Sequence, residues 1–446
     1  MQSDVLVLPG SKAICTHVLT ALSRYWPNDP KPIESLPVQQ RRLVYPIAGP
    51  LRLIEIKLPA WAANCGVDGM LLVPQEAVAD SVTNSELWQH ADWWLAAFLL
   101  LEGWHERVWE HEHGPIHSYS FRLTGWDERA WQHAWVNRIA LFLRCWAKQV
   151  AGNETADRVG PPPKPDIQMT HDVDAVAKTL PIRLKQGAFN LFNAARSLSR
   201  GQFWQTGARL SQAMRFLLGQ ESWWTFDQLQ HWEADAGIQA TYHFHADKQP
   251  KTLKHWLFDP SYDIAAPKQR RLLSQLIKQG HKVGLHPGYE TWQDPKQIAT
   301  QRGLVEAAAG TQVTHCRQHW LRFSWKDTWF AQQAAALTFD TTLMFNDRPG
   351  FRNSCALSWQ PYNPNRAATD HLKAMPTLFM DSHFYDYQPM SAAERQSAMR
   401  HWIQECQNVR GEAAVLWHPH TLTQDYGWSD GFLDAISLIT ESKYCQ

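Results

Sequence analysis

The stretch that decides the fold is Met169-Thr170-His171-Asp172-Val173-Asp174, which follows a proline-rich break in the chain. It ends a strand-like run, and side chains two residues apart on a strand point to the same face. Asp172 and Asp174 are therefore expected on one face at the carboxyl end of a strand. Two ionised carboxylates held this close repel each other unless a cation or a shared proton relieves the repulsion. The alternative is a plain strand end whose acids cap the next helix or face water.

Strand-like and helix-like segments alternate downstream of this stretch. The predicted strands are 167–170, 240–244, 282–285, 316–321, 378–380 and 413–417, and helices are predicted over 222–236, 267–279 and 325–336. Such alternation predicts an α/β fold with a parallel sheet that is either open or closed into a barrel. In both forms ligands bind at the carboxyl ends of the strands, so the residues at those ends are the candidates for function.

The chain divides into two predicted domains and a linker. Residues 1–150 mix strand-like runs at 5–8, 51–57 and 70–73 with helical runs at 85–104 and 128–150, which predicts a small mixed α/β domain of open role. Residues 151–165 are rich in glycine, proline and charge, as linkers are. Residues 166–446 form the predicted barrel domain.

A basic insert at 181–220 interrupts the barrel pattern. It carries six cations and no acids, interleaved with leucine, phenylalanine and tryptophan, which predicts amphipathic helices. Such helices could contact a membrane surface weakly or bind an anionic glycan. A solvated lid or packing element is the simpler interpretation.

The bulk composition excludes several classes of partner. The 446 residues hold 43 acidic and 43 basic side chains, so no global field attracts nucleic acid. The longest apolar run, 93–101, is too short for a membrane span, and no leader peptide is evident, so a cytoplasmic protein is expected. Tryptophan is abundant, with 24 copies. Indole rings suit sugar faces, although most are expected to pack in cores.

Three further strand ends carry groups suited to metal-dependent hydrolysis. One predicted strand delivers His286 into a Pro-Gly turn, and another ends in His418 and His420. The third contains Arg317 and His319, which would share one face of a strand by period two. A lone histidine is more often structural, but four such strand ends in one domain favour a functional site.

From about residue 165 to 420 the chain resembles the polysaccharide deacetylases, the NodB-homology group of carbohydrate esterase family four. The resemblance rests on Thr170-His171-Asp172-Val173-Asp174, Gly280-His281-Lys282-Val283-Gly284-Leu285-His286, Arg317 and Leu416-Trp417-His418. It implies a deformed (β/α) barrel that uses a divalent metal, usually zinc, to remove acetyl groups from N-acetyl sugars. By the same match Asp172 would be the base, Asp174 and His286 metal ligands, Arg317 the group that orients the base, and His418 the general acid.

The third metal ligand departs from the family pattern. The second motif of the family normally supplies a further histidine four residues after the first, and Glu290 stands there in this chain. Zinc accepts a carboxylate oxygen as well as an imidazole nitrogen, so Glu290 could serve after a helical turn. We favour His319, because it would reach the site from the strand of Arg317. A third interpretation is that metal binding is weak or lost.

These residues lead to one expected function and two alternatives. The expected function is a metal-dependent hydrolase that removes an N-acetyl group from a sugar or polysaccharide precursor, with a lipid-linked, nucleotide-linked or soluble sugar inside the cell as substrate. The first alternative is a hydrolase of a C–N bond in a non-sugar amide. The second is a glycan-binding accessory protein whose catalytic site has decayed, which the missing histidine and the abundant tryptophan favour.

Overall fold

The N-terminal region combines a two-stranded antiparallel ladder with helices. The computed structural model describes residues 6–43, 46–65, 67, 69–79, 86–152, 154–249 and 252–444. The elements of the N-terminal region are α1 (Ser11–Ala21), α2 (Lys31–Glu34), β1 (Leu53–Lys57), β2 (Met70–Pro74), α3 (Leu87–His90), α4 (Trp93–Leu101), α5 (Trp104–His113), α6 (Trp135–Ala151) and α7 (Glu154–Val159). Helix α4 is buried on every side, and α1, α6 and β2 pack around it.

Local structure differs from the sequence prediction at three places in this region. The helix predicted over 85–104 is three helices, because the Asp92 side chain accepts a hydrogen bond from Leu95 N to begin α4 and Gly103, at φ 52°, ends it. Position 85 lies outside the described residues. The helix predicted over 128–150 starts only at Trp135, after a 3₁₀ turn. Residues 6–8 are not a strand, and position 5 lies outside the described residues.

The barrel region begins at β3 and alternates strands with helices. Its elements are β3 (Asp166–Val173), α8 (Leu180–Ser199), α9 (Phe203–Leu218), α10 (Phe226–Asp235), β4 (Thr241–Phe244), α11 (Leu253–Phe258), α12 (Pro267–Lys278), β5 (Lys282–Leu285), α13 (Pro295–Ala309), β6 (His315–Cys316), α14 (Thr328–Ala334), β7 (Phe339–Asp340), β8 (Tyr362–Asn363), β9 (Ala368–Thr369), β10 (Lys373–Ala374), β11 (Thr377–Met380), α15 (Ala392–Asn408), β12 (Glu412–Leu416) and α16 (Ser429–Tyr444). The basic insert is the pair α8 and α9. Among the described residues, no helix has the length and apolarity needed to cross a bilayer.

Eight of these strands form one parallel sheet. Their order is β10-β7-β6-β5-β4-β3-β12-β11, and every neighbouring pair is parallel. The two edge strands belong to one extended segment, because only Met375 and Pro376 separate β10 from β11. Met375 N donates to Asp340 O at 2.8 Å, and Ala414 N donates to Pro376 O at 2.9 Å. The sheet therefore curls until one segment joins its two ends, and the predicted deformed (β/α) barrel is confirmed.

Strand β3 shows how the period-two pattern serves the fold. It is buried on both faces from Met169 to Val173, as a central strand should be. Thr170 and Asp172 point into the barrel, where both contact Arg317. His171 points the other way, and its Nε2 lies 2.8 Å from Glu233 Oε1 on α10. The strand thus directs alternate polar groups into the barrel and towards its helical layer.

The N-terminal region and the barrel share one continuous hydrophobic core and several buried polar contacts. Asn137 of α6 donates from Nδ2 to Ala356 O at 2.7 Å, and its Oδ1 accepts from Ala356 N at 2.8 Å. Arg138 Nη2 donates to Glu405 Oε2 at 2.6 Å. The two regions therefore pack closely against each other and are not independent units joined by a linker.

A substitution at Gly103 tests the packing between the N-terminal region and the barrel. An ideal Cβ on Gly103 would collide with the buried indole of Trp325 in the barrel, whereas one on Gly310 would meet nothing within 4 Å. Both glycines have left-handed backbones, so alanine costs about 1–2 kcal/mol at either. We expect Gly103→Ala to lower the free energy of unfolding by a further ~1–3 kcal/mol, the usual cost of overpacking. Urea unfolding of both variants measures the difference, and equal losses would contradict the close contact between the two regions.

Candidate active site

Polar side chains gather at the carboxyl ends of the barrel strands. Because all eight strands are parallel, these ends meet at one mouth of the barrel. The residues there are Asp172 and Asp174 from β3, His243 and His245 from β4, and His286, Arg317, Asp381 and His418, which follow β5, β6, β11 and β12. The structure thus brings the predicted base, acid, arginine and metal ligands together.

A possible metal site is formed by Asp174, His286 and His319. Their ligand atoms all lie within 4.8 Å of one another. Asp174 Oδ1 is 3.3 Å from His286 Nε2 and 3.6 Å from His319 Nε2. Asp174 Oδ1 is also buried without a hydrogen-bond partner, which is costly for a carboxylate oxygen unless a cation binds it. A carboxylate and two imidazoles form a donor set that suits a divalent ion such as zinc.

Both histidines are held so that Nε2 faces this cluster. His286 Nδ1 lies 2.7 Å from Arg317 O, to which it can only donate, so the neutral His286 ring presents the lone pair of Nε2 to the cluster. His319 Nδ1 lies 3.2 Å from Asp259 Oδ1. Donation from the remote ring nitrogen to a carbonyl or carboxylate is the usual way in which proteins orient metal-binding histidines.

His319 reaches the cluster from a turn and not from a strand. The strand predicted over 316–321 is wrong beyond Cys316, because β6 ends there and residues 319–321 form a 3₁₀ turn with Trp320 at φ 55°. Arg317 and His319 consequently do not share a strand face. Glu290, the other candidate ligand, is exposed and pairs with Lys254 at 3.3 Å. Of the two candidates the structure brings only His319 to Asp174 and His286.

Asp172 lies beneath the cluster, buried beside a guanidinium. Arg317 Nη1 donates to its Oδ1 at 3.3 Å, and His243 Nδ1 lies 3.2 Å from the same oxygen. Burial alone would raise the pKa of Asp172, but the charges of His286 and Arg317 outweigh burial and hold it well below its ordinary value. Asp172 is therefore ionised at neutral pH, which is the form that a base requires.

His418 also lies near Asp174 and is paired with Asp381. Its Nε2 lies 3.6 Å from Asp174 Oδ2, and its Nδ1 lies 2.9 Å from Asp381 Oδ1. Asp381 Oδ2 also accepts hydrogen bonds from His418 N and Thr421 Oγ1, both at 2.9 Å. Burial alone would lower the pKa of His418, but the charge of Asp381 and the hydrogen bond to it raise this pKa to about 10. His418 is therefore protonated at neutral pH, as an acid must be.

Sequence reasoning missed four residues of this site. Asp381 directly follows the predicted strand 378–380, so its place at a strand end was the available signal. His243 and His245 alternate at the end of the predicted strand 240–244, in the same pattern as Asp172 and Asp174. Asp259 lies outside any strand, and only the fold brings it to His319.

The fold and the site together define a (β/α) barrel with an ionised aspartate, a protonated histidine and a possible metal-binding triad at one mouth. No protein-family model and no curated protein matches the chain. Solved structures that resemble it are polysaccharide deacetylases and carbohydrate esterases. A protein from Mycobacterium smegmatis, assigned as a polysaccharide deacetylase, has a TM-score of 0.37 and 13% identity over 63% of this chain and 86% of that chain.

Two further neighbours differ in activity. A family 4 carbohydrate esterase from Streptomyces lividans in complex with acetate has a TM-score of 0.28 and 10% identity over 63% of this chain and 88% of that chain. A CE4 family pseudoenzyme from Bacillus anthracis has a TM-score of 0.30 and 11% identity over 64% of this chain and 63% of that chain. Polysaccharide deacetylases, the family that the sequence motifs resemble, are thus also found among the structural neighbours.

The triad predicts where metal affinity resides. His286→Ala and His319→Ala each remove a nitrogen donor, so each should weaken zinc binding by more than the roughly 10–100-fold that a change behind a ligand costs. Zinc per chain after dialysis, measured by plasma mass spectrometry, reports this loss. Glu290→Gln is the matched control and should keep the wild-type zinc content. Zinc that is lost from the Glu290 variant and kept by the His319 variant would contradict the assignment.

The Asp381 pair predicts a titration shift in the metal-free protein. Wild-type His418 stays protonated until the pH approaches its pKa of about 10. Asp381→Asn removes the charge that raises this pKa, so the midpoint should fall towards the ordinary ~6.5. NMR titration of the imidazole measures the midpoint directly. The half-buried Asp434, which accepts a hydrogen bond from Gln396, is the control. Asp434→Asn should leave the midpoint unchanged, and an unshifted midpoint in the Asp381 variant would show that the pair does not set the protonation of His418.

Proposed function

We propose that this protein is a metal-dependent hydrolase that removes the N-acetyl group from a sugar or a polysaccharide precursor. The observation that carries the proposal is the arrangement of an ionised Asp172 and a protonated His418 around the cluster of Asp174, His286 and His319. Amide hydrolysis needs a base for water, an acid for the departing nitrogen and stabilisation of a developing oxyanion.

The donor set supports zinc as the metal. Two imidazole nitrogens and one carboxylate oxygen are typical ligands of catalytic zinc, which keeps a further position open. A bound divalent ion would supply Lewis acidity towards the acetyl carbonyl and would lower the pKa of water towards ~7. Asp174, His286 and His319 would hold it.

The protein's own groups supply the proton transfers. Asp172 accepts a proton from the attacking water, and Arg317 fixes the carboxylate that receives it through the contact at 3.3 Å. The protonated His418 carries a proton on each ring nitrogen, and Nδ1–H donates to Asp381, so the Nε2 proton is the one available for transfer. His418 can therefore donate to the nitrogen that leaves, and Asp381 stabilises the imidazolium beforehand.

Aromatic side chains beside His319 favour a sugar substrate over another amide. Trp320 is 38% exposed and follows the ligand directly, and its ring meets Phe258 and Tyr289 edge-on. An exposed indole beside the reacting groups offers a flat apolar surface of the kind that sugar rings stack on. A decayed binding protein was favoured by the missing second-motif histidine, and a His319 within reach of Asp174 weakens that alternative.

The chemistry is tested by replacing the base. Asp172→Asn removes the proton acceptor but keeps its shape, so acetate release from N-acetylated sugars should fall by roughly 10²–10⁴-fold. Release is measured against a panel of N-acetyl sugars with the zinc-loaded enzyme. Asp166→Asn is the matched control, because Asp166 lies at the exposed amino end of the same strand. Full activity in the Asp172 variant would refute the proposed mechanism.

A further inference from the structure

The basic insert forms a helical hairpin whose base lies beside the candidate active site. The hairpin consists of α8 and α9, which pack chiefly on each other, and Gly187 fits closely against Leu217. It begins only six residues after Asp174. At its base, Lys178 pairs with Asp425 at 2.6 Å, and Lys185 donates to Leu257 O. Burial lowers the pKa of Lys185, and the charges of Asp174 and Asp259 oppose that effect, which places its ammonium in the field of the active site.

The charged side chains of the hairpin are all basic. Residues 175–220 contain no acidic side chain and seven basic ones, although the whole chain is balanced at 43 of each sign. Some of these cations are paired, such as Arg209 in the middle of α9 with Asp386 at 3.5 Å. Arg196 and Arg200 lie at the far end, are exposed and form no ion pair within the described part of the chain. Unneutralised cations on a projecting element call for an anionic partner.

The same hairpin exposes an unusual amount of apolar surface. It holds eleven of the 21 large apolar side chains that the described residues expose: Leu180, Leu184, Phe189, Leu191, Phe192, Leu198, Phe203, Trp204, Leu210, Met214 and Leu218. The extreme cases are Phe203, 75% exposed, and Trp204, 89% exposed, where the chain turns from α8 into α9. We call Arg196, Leu198, Arg200, Phe203 and Trp204 the tip of the hairpin. Fully solvated aromatic side chains at such a tip are unfavourable unless another phase covers them.

We propose that the tip binds the surface of an anionic lipid bilayer. Phenylalanine and tryptophan enter the interfacial layer, leucine adds apolar area, and arginine binds acidic headgroups. Peripheral membrane attachment requires both apolar insertion and attraction to anionic lipids, and this small surface provides both. A polyanion such as nucleic acid would use the cations but would leave Phe203 and Leu198 in water. Since no described helix could span a bilayer, the mode is surface binding. The proposal does not depend on the proposed chemistry.

Vesicle co-sedimentation of the full chain tests the proposal. The probes are vesicles of phosphatidylcholine alone and of phosphatidylcholine with phosphatidylglycerol. Wild-type protein should sediment with the anionic vesicles, and added salt should release it. The double variant Arg196→Glu, Arg200→Glu should partition about 25-fold more weakly or worse, since each cation near an anionic surface is worth roughly fivefold. The double variant Phe203→Ser, Trp204→Ser should lose at least about tenfold.

Two matched pairs separate the tip from general surface effects. Phe121→Ser with Phe330→Ser removes two aromatic side chains that are 66% and 58% exposed elsewhere. Arg271→Glu with Lys278→Glu reverses two exposed cations on α12. Both pairs should bind as wild type does, and unchanged melting would show that the tip variants are folded. Wild-type protein that ignores anionic vesicles, control pairs that lose as much as the tip variants, or a wild-type dimer that the tip variants break would each overturn the proposal.

Discussion

The buried contact between Arg317 and Asp172 is the interaction on which the barrel and the site both depend. Both side chains are almost completely buried, so each charge has lost its hydration and needs the other. The guanidinium also donates to Thr170 Oγ1 at 2.7 Å, Thr341 O at 3.1 Å and Thr377 Oγ1 at 3.0 Å. These partners belong to β3, to the residue after β7 and to β11. One side chain therefore satisfies groups on strands across the barrel while it fixes the oxygen that would act as base.

The charges above this pair are arranged around a single carboxylate. Asp174 is surrounded by His286, His319 and His418. Its close contact with His286 and the charges of the three histidines hold its pKa well below the ordinary value, although burial would raise it. An imidazole compensates a carboxylate in this way only in its charged form, whereas it binds a metal only in its neutral form. A divalent ion would supply the same compensation. The charges of Asp172 and Asp174 raise the pKa of His286 although burial would lower it, so metal binding would be coupled to proton release from this imidazole. His418 stands apart from the triad, because Asp381 at 2.9 Å is a closer partner for it than Asp174 at 3.6 Å.

The sequence could predict the residues at strand ends, because the two-residue alternation of a strand and the turn residues that bound it are local features. Asp172, Asp174, His286 and His418 follow buried runs that any parallel sheet would align at one mouth. The choice between Glu290 and His319 was beyond local reasoning, since the path of each loop after its strand decides it. The same limit applies to the helices of the N-terminal region. A nearly continuous apolar run predicted one helix there, although the helix is interrupted at Asp92 and at Gly103. The barrel class was predictable, while its closure by the single segment from β10 to β11 required long-range pairing.

The position of His319 also explains what the N-terminal region contributes to the site. The turn that carries this histidine holds Trp320 and Leu321 at φ 55° and 48°, a conformation that costs side-chain-bearing residues about 1–2 kcal/mol each. Such strain persists only where neighbours hold it in place. Ser118 of the N-terminal region supplies one constraint, because its Oγ donates to Leu321 O at 2.5 Å. Ser118 Oγ in turn accepts from Arg352 Nη1 at 2.8 Å, and Arg352 is paired with Glu106. The N-terminal region thereby reaches the turn beside His319 through buried polar contacts, so it is part of the scaffold of the candidate metal site and not an appendage to the barrel.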